Sequence, residues 1–214
     1  MNRSIPIIDP HQHFWDLTLE KHPWLCGDHN IPFRYGDYTE LRRRNYLPDD
    51  YLRDTAGYQI QKTVYVETEW NPDDPLGETA WVMELHNRTG FPHAIVGQAW
   101  FMADNIAAIL ASQAAFPLIR SIRQKPAATP SCESFRPGLP GSLADPRFRD
   151  GFSSLASHGL HFDLQTPWWH LGEAADLARD FRETLIILNH TGLPSDRSNA
   201  GLKGWRSAMA RFAK

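Results

Sequence analysis

The sequence has little of what would assign a function at once. It contains two cysteines, Cys26 and Cys132, without metal-type spacing, so a reduced cytoplasmic protein is expected, although one long-range disulfide also fits. There is no run of Lys or Arg and the net charge is -3, which gives no electrostatic basis for binding nucleic acid or an anionic membrane. The start resembles no signal peptide, and no segment is long enough to cross a bilayer.

Several catalytic signatures are also missing. The sequence has no Gly-x-Ser-x-Gly motif, which disfavours a serine hydrolase. It has neither a zinc-protease motif nor a P-loop. The first predicted strand is not followed by the Gly-rich turn of a dinucleotide-binding fold; it continues into Pro10-His11-Gln12-His13 instead.

Short apolar runs alternate with amphipathic stretches along the whole chain. The runs predict strands at residues 5–9, 62–70, 94–101, 119–125, 160–166 and 184–192. Helices are predicted from residue 48, over 78–88 and 105–115, from 145–146, and over 173–181 and 204–212. Nearly continuous β-branched runs are typical of parallel strands buried on both faces. The series predicts one α/β domain over residues 1–214, with a long loop at 14–47 of the kind that often carries function.

Three histidines lie at predicted strand ends. Residues two apart on a strand share a face, so Asp9, His11 and His13 are expected to point the same way. His190 ends the sixth apolar run. In a (β/α)8 barrel the carboxyl ends of the strands surround the active site, where imidazoles can hold a divalent cation or polarise a carbonyl. Hydrogen-bonding histidines at a loop entrance are the structural alternative.

Other polar and aromatic residues near predicted strand ends are candidate substrate-binding groups. Arginine binds carboxylate, phosphate or lactone oxygens in a bidentate manner, and amide or indole groups bond to or stack on a polar ring. The candidates are Glu69, Gln98, Trp100, Arg120, Arg123, Gln165 and Trp168. Each also has an ordinary interpretation. Glu67, Glu69 and the arginines are equally suited to ion pairs, and the Trp168 loop to packing on a helix.

Four segments together carry a family resemblance: DPHQHFW at 9–15, VYVETEW at 64–70, Arg-x-x-Arg at 120–123 and NHTGLP at 189–194. They resemble the amidohydrolase superfamily, and more narrowly its amidohydrolase-2 branch, which includes fuconolactonase, rhamnonolactonase and pyrone-dicarboxylate lactonase. The resemblance implies an amidohydrolase-type (β/α)8 TIM barrel. It also implies a hydrolase that opens a small cyclic ester, either a sugar-acid or a dicarboxylate lactone, with a small molecule as its binding partner.

The resemblance also implies roles for particular residues. His11, His13 and His190 match the histidines that hold zinc or a similar ion in metal-dependent relatives; in some lactonases the same histidines act without a metal. Both modes stay open here. Arg120 and Arg123 match arginines that grip substrate carboxylates or hydroxyls. A metal-dependent decarboxylase or C–C hydrolase, or a non-catalytic binding protein, would use the same pocket.

One departure from the family pattern concerns length. About six strand–helix units are predicted, whereas the family's barrel has eight and its general base is usually an Asp on the eighth strand. A fragment of a longer enzyme is favoured over completion by a partner chain or a degenerate relative. Unpaired sheet edges predict self-association of the isolated chain, so a homo-oligomer is a further expectation.

Overall fold

The protein is described here by a computed structural model that covers residues 5–27 and 37–214. Two compact units are present. The first comprises Met1–Gln98 and Ala115–Arg120, and the second comprises Ala99–Ala114 and Ser121–Lys214. The loop predicted at 14–47 includes residues 28–36, which lie outside the described residues.

The first unit contains three parallel strands paired in chain order. The strands are β1 (Pro6–Gln12), β2 (Gln59–Val66) and β3 (Ala94–Gln98). The helices are α1 (Pro23–Cys26), α2 (Pro48–Asp54) and α3 (Gly77–Thr89). The pairing of β1 with β2 shifts register between Asp9 and Gln12, a stretch that contains His11.

The second unit repeats this pattern, and the boundary between the units passes through β4. Its strands β4 (Ile119–Arg123), β5 (His161–Leu164) and β6 (Ile186–Leu188) are parallel and paired in chain order. Its helices are α4 (Ile106–Ala114), α5 (Pro146–Ser153), α6 (Leu171–Asp180) and α7 (Asn199–Phe212). The alternation of parallel strands and helices confirms the α/β class.

Local sequence signals explain where several helices begin and end. α5 starts at Pro146 after Asp145, whose carboxylate accepts a hydrogen bond from the Arg147 N–H; proline fits the first helical position and aspartate caps it. α3 ends at Gly90, whose φ of +79° is easily reached without a Cβ. The predicted helix at 204–212 begins earlier, at Asn199, because Ser198 caps it.

Five of the six predicted strands end earlier than expected, and two of these early ends concern candidate site residues. The run at 62–70 ends as a strand at Val66, so Glu67 and Glu69, which were predicted to lie within the strand, lie in the following loop. The run at 184–192 forms a strand only over Ile186–Leu188 and continues as a turn, Asn189–Gly192.

A phenylalanine cluster forms the core of the second unit on one side of β5. Phe162 packs edge-on against Phe101, Phe148 and Phe152 with ring centroids 5.2–6.2 Å apart. Because side chains alternate along a strand, Asp163 points to the opposite side. β5 therefore separates an aromatic core from a polar face, and that polar face bears on function. Within the described residues, no helix has the length and apolar character needed to cross a membrane.

Candidate functional site

The two histidines of the first unit lie side by side at the end of β1. The His11 and His13 rings are 5.0 Å apart between centroids and meet edge to face. The backbone N–H of His11 donates to the Asp9 carboxylate at 3.1 Å, and the Tyr51 hydroxyl donates to its other oxygen at 2.9 Å. Asp9 thus links the end of β1 to α2, and the predicted proximity of the two imidazoles is found.

The orientation of His13 is set by a backbone group of the neighbouring strand. Its Nδ1 lies 2.7 Å from the carbonyl oxygen of Val66. A carbonyl only accepts, so Nδ1 carries the proton and the neutral ring holds its lone pair on Nε2. The Thr68 hydroxyl lies 3.4 Å from the same Nδ1. His13 therefore presents Nε2 as a base or a metal ligand.

Thr68 connects His13 to a buried network. Its hydroxyl lies 3.1 Å from the Tyr65 hydroxyl, which donates to Glu78 Oε1 at 2.7 Å. The Thr68 backbone N–H donates to the same oxygen at 2.6 Å. Burial and the Glu78 charge raise the pKa of Tyr65 well above its usual value, so it stays a proton donor. Glu78 sits in the first turn of α3, where the helix dipole favours a carboxylate.

The carbonyl of Thr68 holds part of the long loop. His22 Nδ1 and the Trp24 indole N–H both donate to it, at 3.1 and 2.8 Å. His22 is fully buried and meets Trp70 edge-on, with centroids 5.1 Å apart. Burial lowers the pKa of His22, so its ring is neutral. One residue, Thr68, therefore ties the loop, α3 and His13 together.

The remaining candidates of the first unit are close to this network in sequence. Glu67 is buried, and one of its carboxylate oxygens accepts from the Glu69 backbone N–H at 2.8 Å. Glu69 adopts a φ of +54°, which is uncommon for a non-glycine residue. Gln98, the last residue of β3, donates from Nε2 to the Trp70 carbonyl at 3.3 Å.

In the second unit, four polar side chains gather on the face of β5 opposite the phenylalanine core. Arg123 is in register with Asp163 on the neighbouring strand, and its guanidinium donates to Gln165 Oε1 at 3.3 Å. Asn189, just after β6, donates from Nδ2 to Asp163 Oδ1 at 2.9 Å. Arg123, Asp163 and Asn189 are all buried. The structure thus brings the predicted Arg123 and Gln165 together.

His190 lies in a turn with an unusual backbone. His190, Thr191 and Leu193 have φ of 48°, 52° and 49°, and Gly192 between them has φ of 72°. Left-handed conformations cost L-residues roughly 1–2 kcal/mol each and are worst for β-branched residues. Four in succession persist only where surrounding structure enforces them, and such strain clusters at functional sites.

Helix α7 and the segment after β5 provide that enforcement. The Trp205 indole N–H donates to the Thr191 carbonyl at 2.7 Å. A Cβ placed on Gly192 would lie 3.3 Å from Leu171 and 3.6 Å from the Met209 sulfur, so only glycine fits comfortably. Leu193 is buried. Contacts from α7 and from the segment after β5 thus hold the backbone of the turn that contains His190.

The charge state of His190 follows from its neighbours. Partial burial lowers its pKa first, and the positive charges of Arg123 and Lys125 lower it further. The ring is therefore neutral at neutral pH. A neutral imidazole beside two cations can accept a proton or bind an electrophile while the cations attract an anionic or polarised oxygen.

The other predicted substrate-binding residues are Arg120, Trp100 and Trp168. Arg120 is exposed, and its guanidinium donates to the Pro117 and Ile119 carbonyls at 2.9 and 2.7 Å, near the beginning of β4. Trp100 follows β3 and is 38% exposed. Trp168 packs closely on Gly204 of α7, where a Cβ would lie 2.5 Å from its ring. This position of Trp168 is compatible with both roles considered for it, packing on a helix and substrate binding.

Comparison with known proteins identifies the family of this chain. The sequence model described as Amidohydrolase, of the amidohydrolase-2 type, matches residues 8–214. The chain belongs to the amidohydrolase family. It is 38% identical, over 211 residues, to the uncharacterized protein y4mH of Sinorhizobium fredii, covering 99% of this chain and 70% of that protein.

Two further relatives of this amidohydrolase are more distant. L-fucono-1,5-lactonase of Burkholderia ambifaria is 26% identical, with 96% of this chain and 63% of that protein covered. A crystal structure of a Burkholderia multivorans amidohydrolase with bound zinc is 22% identical and has a TM-score of 0.72, with 96% of this chain and 65% of that one covered. The chain thus spans about two thirds of the length of the relatives it matches.

A metal ion needs more ligands than the described residues of this amidohydrolase bring together. Structural and catalytic zinc sites use at least three protein ligands. Across residues 5–27 and 37–214, no group of three or more His, Cys, Asp or Glu side chains is arranged to hold a metal ion. His11 and His13 supply two imidazoles, with Nε2 of His13 suited to ligation. The described residues alone therefore do not form a complete zinc site.

Several residues of the amidohydrolase site were not predicted from the sequence. Thr68, Glu78 and Trp205 act through contacts with residues distant along the chain, which no local pattern encodes. Asp163 was not among the candidates, and Asn189 was noted only as part of the NHTGLP segment that contains His190. A polar residue inside an otherwise apolar strand, as in HFDL at 161–164, was the one signal that could have identified Asp163.

Proposed function

We propose that this amidohydrolase hydrolyses a small cyclic ester, with the strand-end histidines acting on the carbonyl and on the attacking water. The observation that carries the proposal is the paired arrangement of His11 and His13, whose rings lie 5.0 Å apart. The relationship to L-fucono-1,5-lactonase, at 26% identity, supports the choice of a lactone. We further propose that the strands belong to an amidohydrolase-type (β/α)8 barrel.

Each group has a role that fits its protonation and contacts. Water adds to the ester carbonyl carbon, the ring C–O bond breaks, and the leaving oxygen takes up a proton to give a hydroxy acid. His13, with Nδ1–H held by Val66, offers Nε2 to receive the proton of water. Arg123 and Lys125 are the cations nearest His190 in electrostatic terms and stabilise developing negative charge on an oxygen.

A divalent ion is part of the proposal only as an addition. Zinc is present in the crystal structure of the Burkholderia multivorans relative. His11 and His13 would supply two imidazole ligands to such an ion. Completion of such a site requires ligands beyond the histidine pair.

The test is replacement of His11 and His13 by alanine together, with lactone hydrolysis followed by acid release. We expect turnover to fall by about two orders of magnitude or more while the circular dichroism spectrum stays unchanged. His158→Ala combined with His161→Ala is the matched control, because it removes two half-buried histidines outside the pair. Unchanged hydrolysis in the His11/His13 variant would reject the proposal. Release of carbon dioxide from an aromatic acid by the parent protein would favour a decarboxylase instead.

A further inference from the structure

A long connection between β4 and α5 closes on itself. Residues 124–145 contain neither a helix nor a strand, and connections of this length in a compact fold are usually functional. The backbone N–H of Ala127 donates to the carbonyl of Gly141 at 2.9 Å, so the two ends of the intervening segment meet. Residues 127–141 therefore form an Ω-loop, a compact loop with adjoining ends. Lys125, one of the cations of the proposed function, lies just before this Ω-loop.

A buried histidine–glutamate pair lies against the Ω-loop. His170 ends the short 3-10 helix that follows β5, and Glu173 lies in the first turn of α6. The two side chains are 1% and 6% exposed, and His170 Nδ1 lies 3.1 Å from Glu173 Oε2. Glutamate is almost never buried this deeply without a specific partner. Neither residue has a role in the proposed reaction, so the purpose of the pair is sought in its contacts.

The hydrogen bonds of His170 fix which of its nitrogens carries the proton. The backbone N–H of Thr129 donates to Nε2 at 3.0 Å, and an N–H group has no lone pair with which to accept. Nε2 is therefore the acceptor, and Nδ1 carries the proton that it donates to Glu173. Thr129 is buried, and its hydroxyl lies 3.3 Å from the same Nε2. The neutral ring thus joins the Glu173 carboxylate to the beginning of the Ω-loop.

Glu173 holds the remainder of the Ω-loop directly. Its Oε1 accepts from the backbone N–H of Gly138 at 2.8 Å and from the Ser142 hydroxyl at 3.5 Å. The Phe135 ring meets the His170 ring edge-on, with centroids 4.9 Å apart. Both carboxylate oxygens and both ring nitrogens are thus engaged. The pair contacts the Ω-loop at its beginning, in its middle and just past its end.

Lys125 lies on a short tether between two fixed points. On one side, Oε1 of the buried Gln124 accepts from the Phe101 backbone N–H at 2.6 Å. On the other side, Thr129 is held by the histidine of the pair. Pro126 lies between them and is buried, and a proline restricts both its own φ and the backbone of the preceding residue. The position of the Lys125 backbone therefore depends on where Thr129 is held.

We propose that His170 and Glu173 are positioning residues, which hold the Ω-loop so that the ammonium group of Lys125 stays beside the substrate oxygen. The inference rests on the proposed lactone hydrolysis, in which that group stabilises developing negative charge. Such stabilisation depends on a charge that is in place before the reaction, and a displacement of about 1 Å can cost about two orders of magnitude in rate. The competing interpretation is that the pair only stabilises the fold.

A double-mutant cycle between His170→Phe and Lys125→Gln separates the two interpretations. His170→Phe keeps an aromatic ring against Phe135 and removes both nitrogens. We expect each single variant to lower lactone kcat by about tenfold or more, with a smaller change in KM. The double variant should be no slower than Lys125→Gln alone, because the two residues act through one interaction. Effects that multiply in the double variant, or an unchanged kcat in His170→Phe, would overturn the inference.

Glu173→Gln tests the same link without changing the size of a side chain. Its NH2 group must face either the Nδ1–H of His170 or the N–H of Gly138, so one of these bonds is lost. We expect kcat to fall as in His170→Phe, with circular dichroism confirming the fold of every variant. His158→Phe is the matched control, because it makes the same substitution at a partly buried histidine that follows α5. Its kcat should be unchanged.

A spin label on Cys132 measures the anchoring without catalysis. Cys132 is exposed and lies in the Ω-loop, and the other cysteine, Cys26, is replaced by serine for this experiment. We expect the electron paramagnetic resonance spectrum to show a more mobile label in His170→Phe and in Glu173→Gln than in the parent. Trp169→Phe removes an indole N–H bond to Thr129 but leaves the bonds of the pair in place. In that variant the label should stay as it is in the parent.

The label also separates failure of this inference from failure of the proposed function. If the parent hydrolyses no lactone, the proposed function falls, and the label still decides whether the pair holds the Ω-loop. A label that is equally mobile in the parent, His170→Phe and Glu173→Gln would overturn the inference whatever the kinetics. If the label becomes mobile while lactone kcat is unchanged, the Ω-loop does not position Lys125; the inference then falls and the proposed function stands.

Discussion

The indole N–H of Trp205 donates a 2.7 Å hydrogen bond to the carbonyl of Thr191. Thr191 is the residue next to His190, and both have positive φ. A helix of the second unit therefore holds the strained backbone that carries a predicted active-site histidine. This relationship makes the conformation of the turn, and not only the identity of His190, part of the site.

Trp205→Phe keeps an aromatic ring and removes the N–H. We expect the free energy of unfolding to fall by about 0.5–1.5 kcal/mol. We also expect lactone kcat to fall more than KM changes, because the turn carrying His190 loosens while substrate contacts remain. Urea unfolding and steady-state kinetics measure the two effects.

Trp169→Phe is the matched control for this variant. It removes an indole N–H that donates to the Thr129 carbonyl at 3.2 Å and to its hydroxyl at 3.1 Å. We expect a similar loss of stability with unchanged kcat. A kcat that falls equally in both variants, or in neither, would show that Trp205 supports the fold and does not position His190.

Thr191→Gly should relieve backbone strain. Thr191 has φ 52° and ψ 33°, a region that glycine enters freely and a β-branched residue does not. We expect the free energy of unfolding to stay level or rise by up to about 1 kcal/mol. Thr55→Gly is the control, since Thr55 has φ −94° and its hydroxyl likewise bonds to a backbone carbonyl.

The control should behave in the opposite way. Glycine at an ordinary helix end loses more conformational entropy on folding, so Thr55→Gly should destabilise by about 0.5–1 kcal/mol. Chemical denaturation of both variants gives the comparison. If Thr191→Gly destabilised as much as Thr55→Gly, the left-handed conformation would not be a source of strain.

Gly204→Ala should disturb Trp168. A Cβ at Gly204 would lie 2.5 Å from the Trp168 ring, closer than any relaxed contact, so the indole must move. We expect a destabilisation of about 1–3 kcal/mol from overpacking, seen in thermal unfolding. Gly172→Ala in α6 has nothing within 4 Å of the new Cβ and should stabilise by up to about 1 kcal/mol through helix propensity. Equal effects in both helices would contradict the close packing at Gly204.

Stability should depend on pH through His22. Burial lowers the pKa of His22 below its usual value near 6.5, so the unfolded chain binds a proton at a higher pH than the folded one. The stability contributed by neutral His22 is therefore complete above about pH 6.5 and is lost as the pH falls towards the folded-state pKa.

Urea unfolding at about pH 7.5 and about pH 5.5 measures this dependence. We expect His22→Asn to be less stable than the parent at the higher pH, and to lose less stability on acidification. His158→Asn serves as the control, because His158 is only partly buried. An identical fall in stability for the parent and His22→Asn would show that other groups cause it.

The sequence by itself determined the fold class, the family and the positions of the histidines along the chain. Continuous apolar runs and amphipathic stretches depend on local periodicity, and helix starts such as Asp145-Pro146 depend on neighbouring residues alone. The motifs around His11, His13 and His190 are equally local. These features are readable because the physical cause lies within a few residues of the effect.

Tertiary structure alone decided which groups surround those histidines and in what state. Thr68, Glu78 and Trp205 come from segments far along the chain from the residues they hold. The strand containing Glu67 and Glu69 ended early, and the turn at His190 adopted a left-handed backbone that propensity disfavours. The hydrogen bond between Asn189 and Asp163 forms only when two strands lie side by side. Hydrogen-bond partners and burial are properties of packing between distant segments, so they had to be seen in the folded chain.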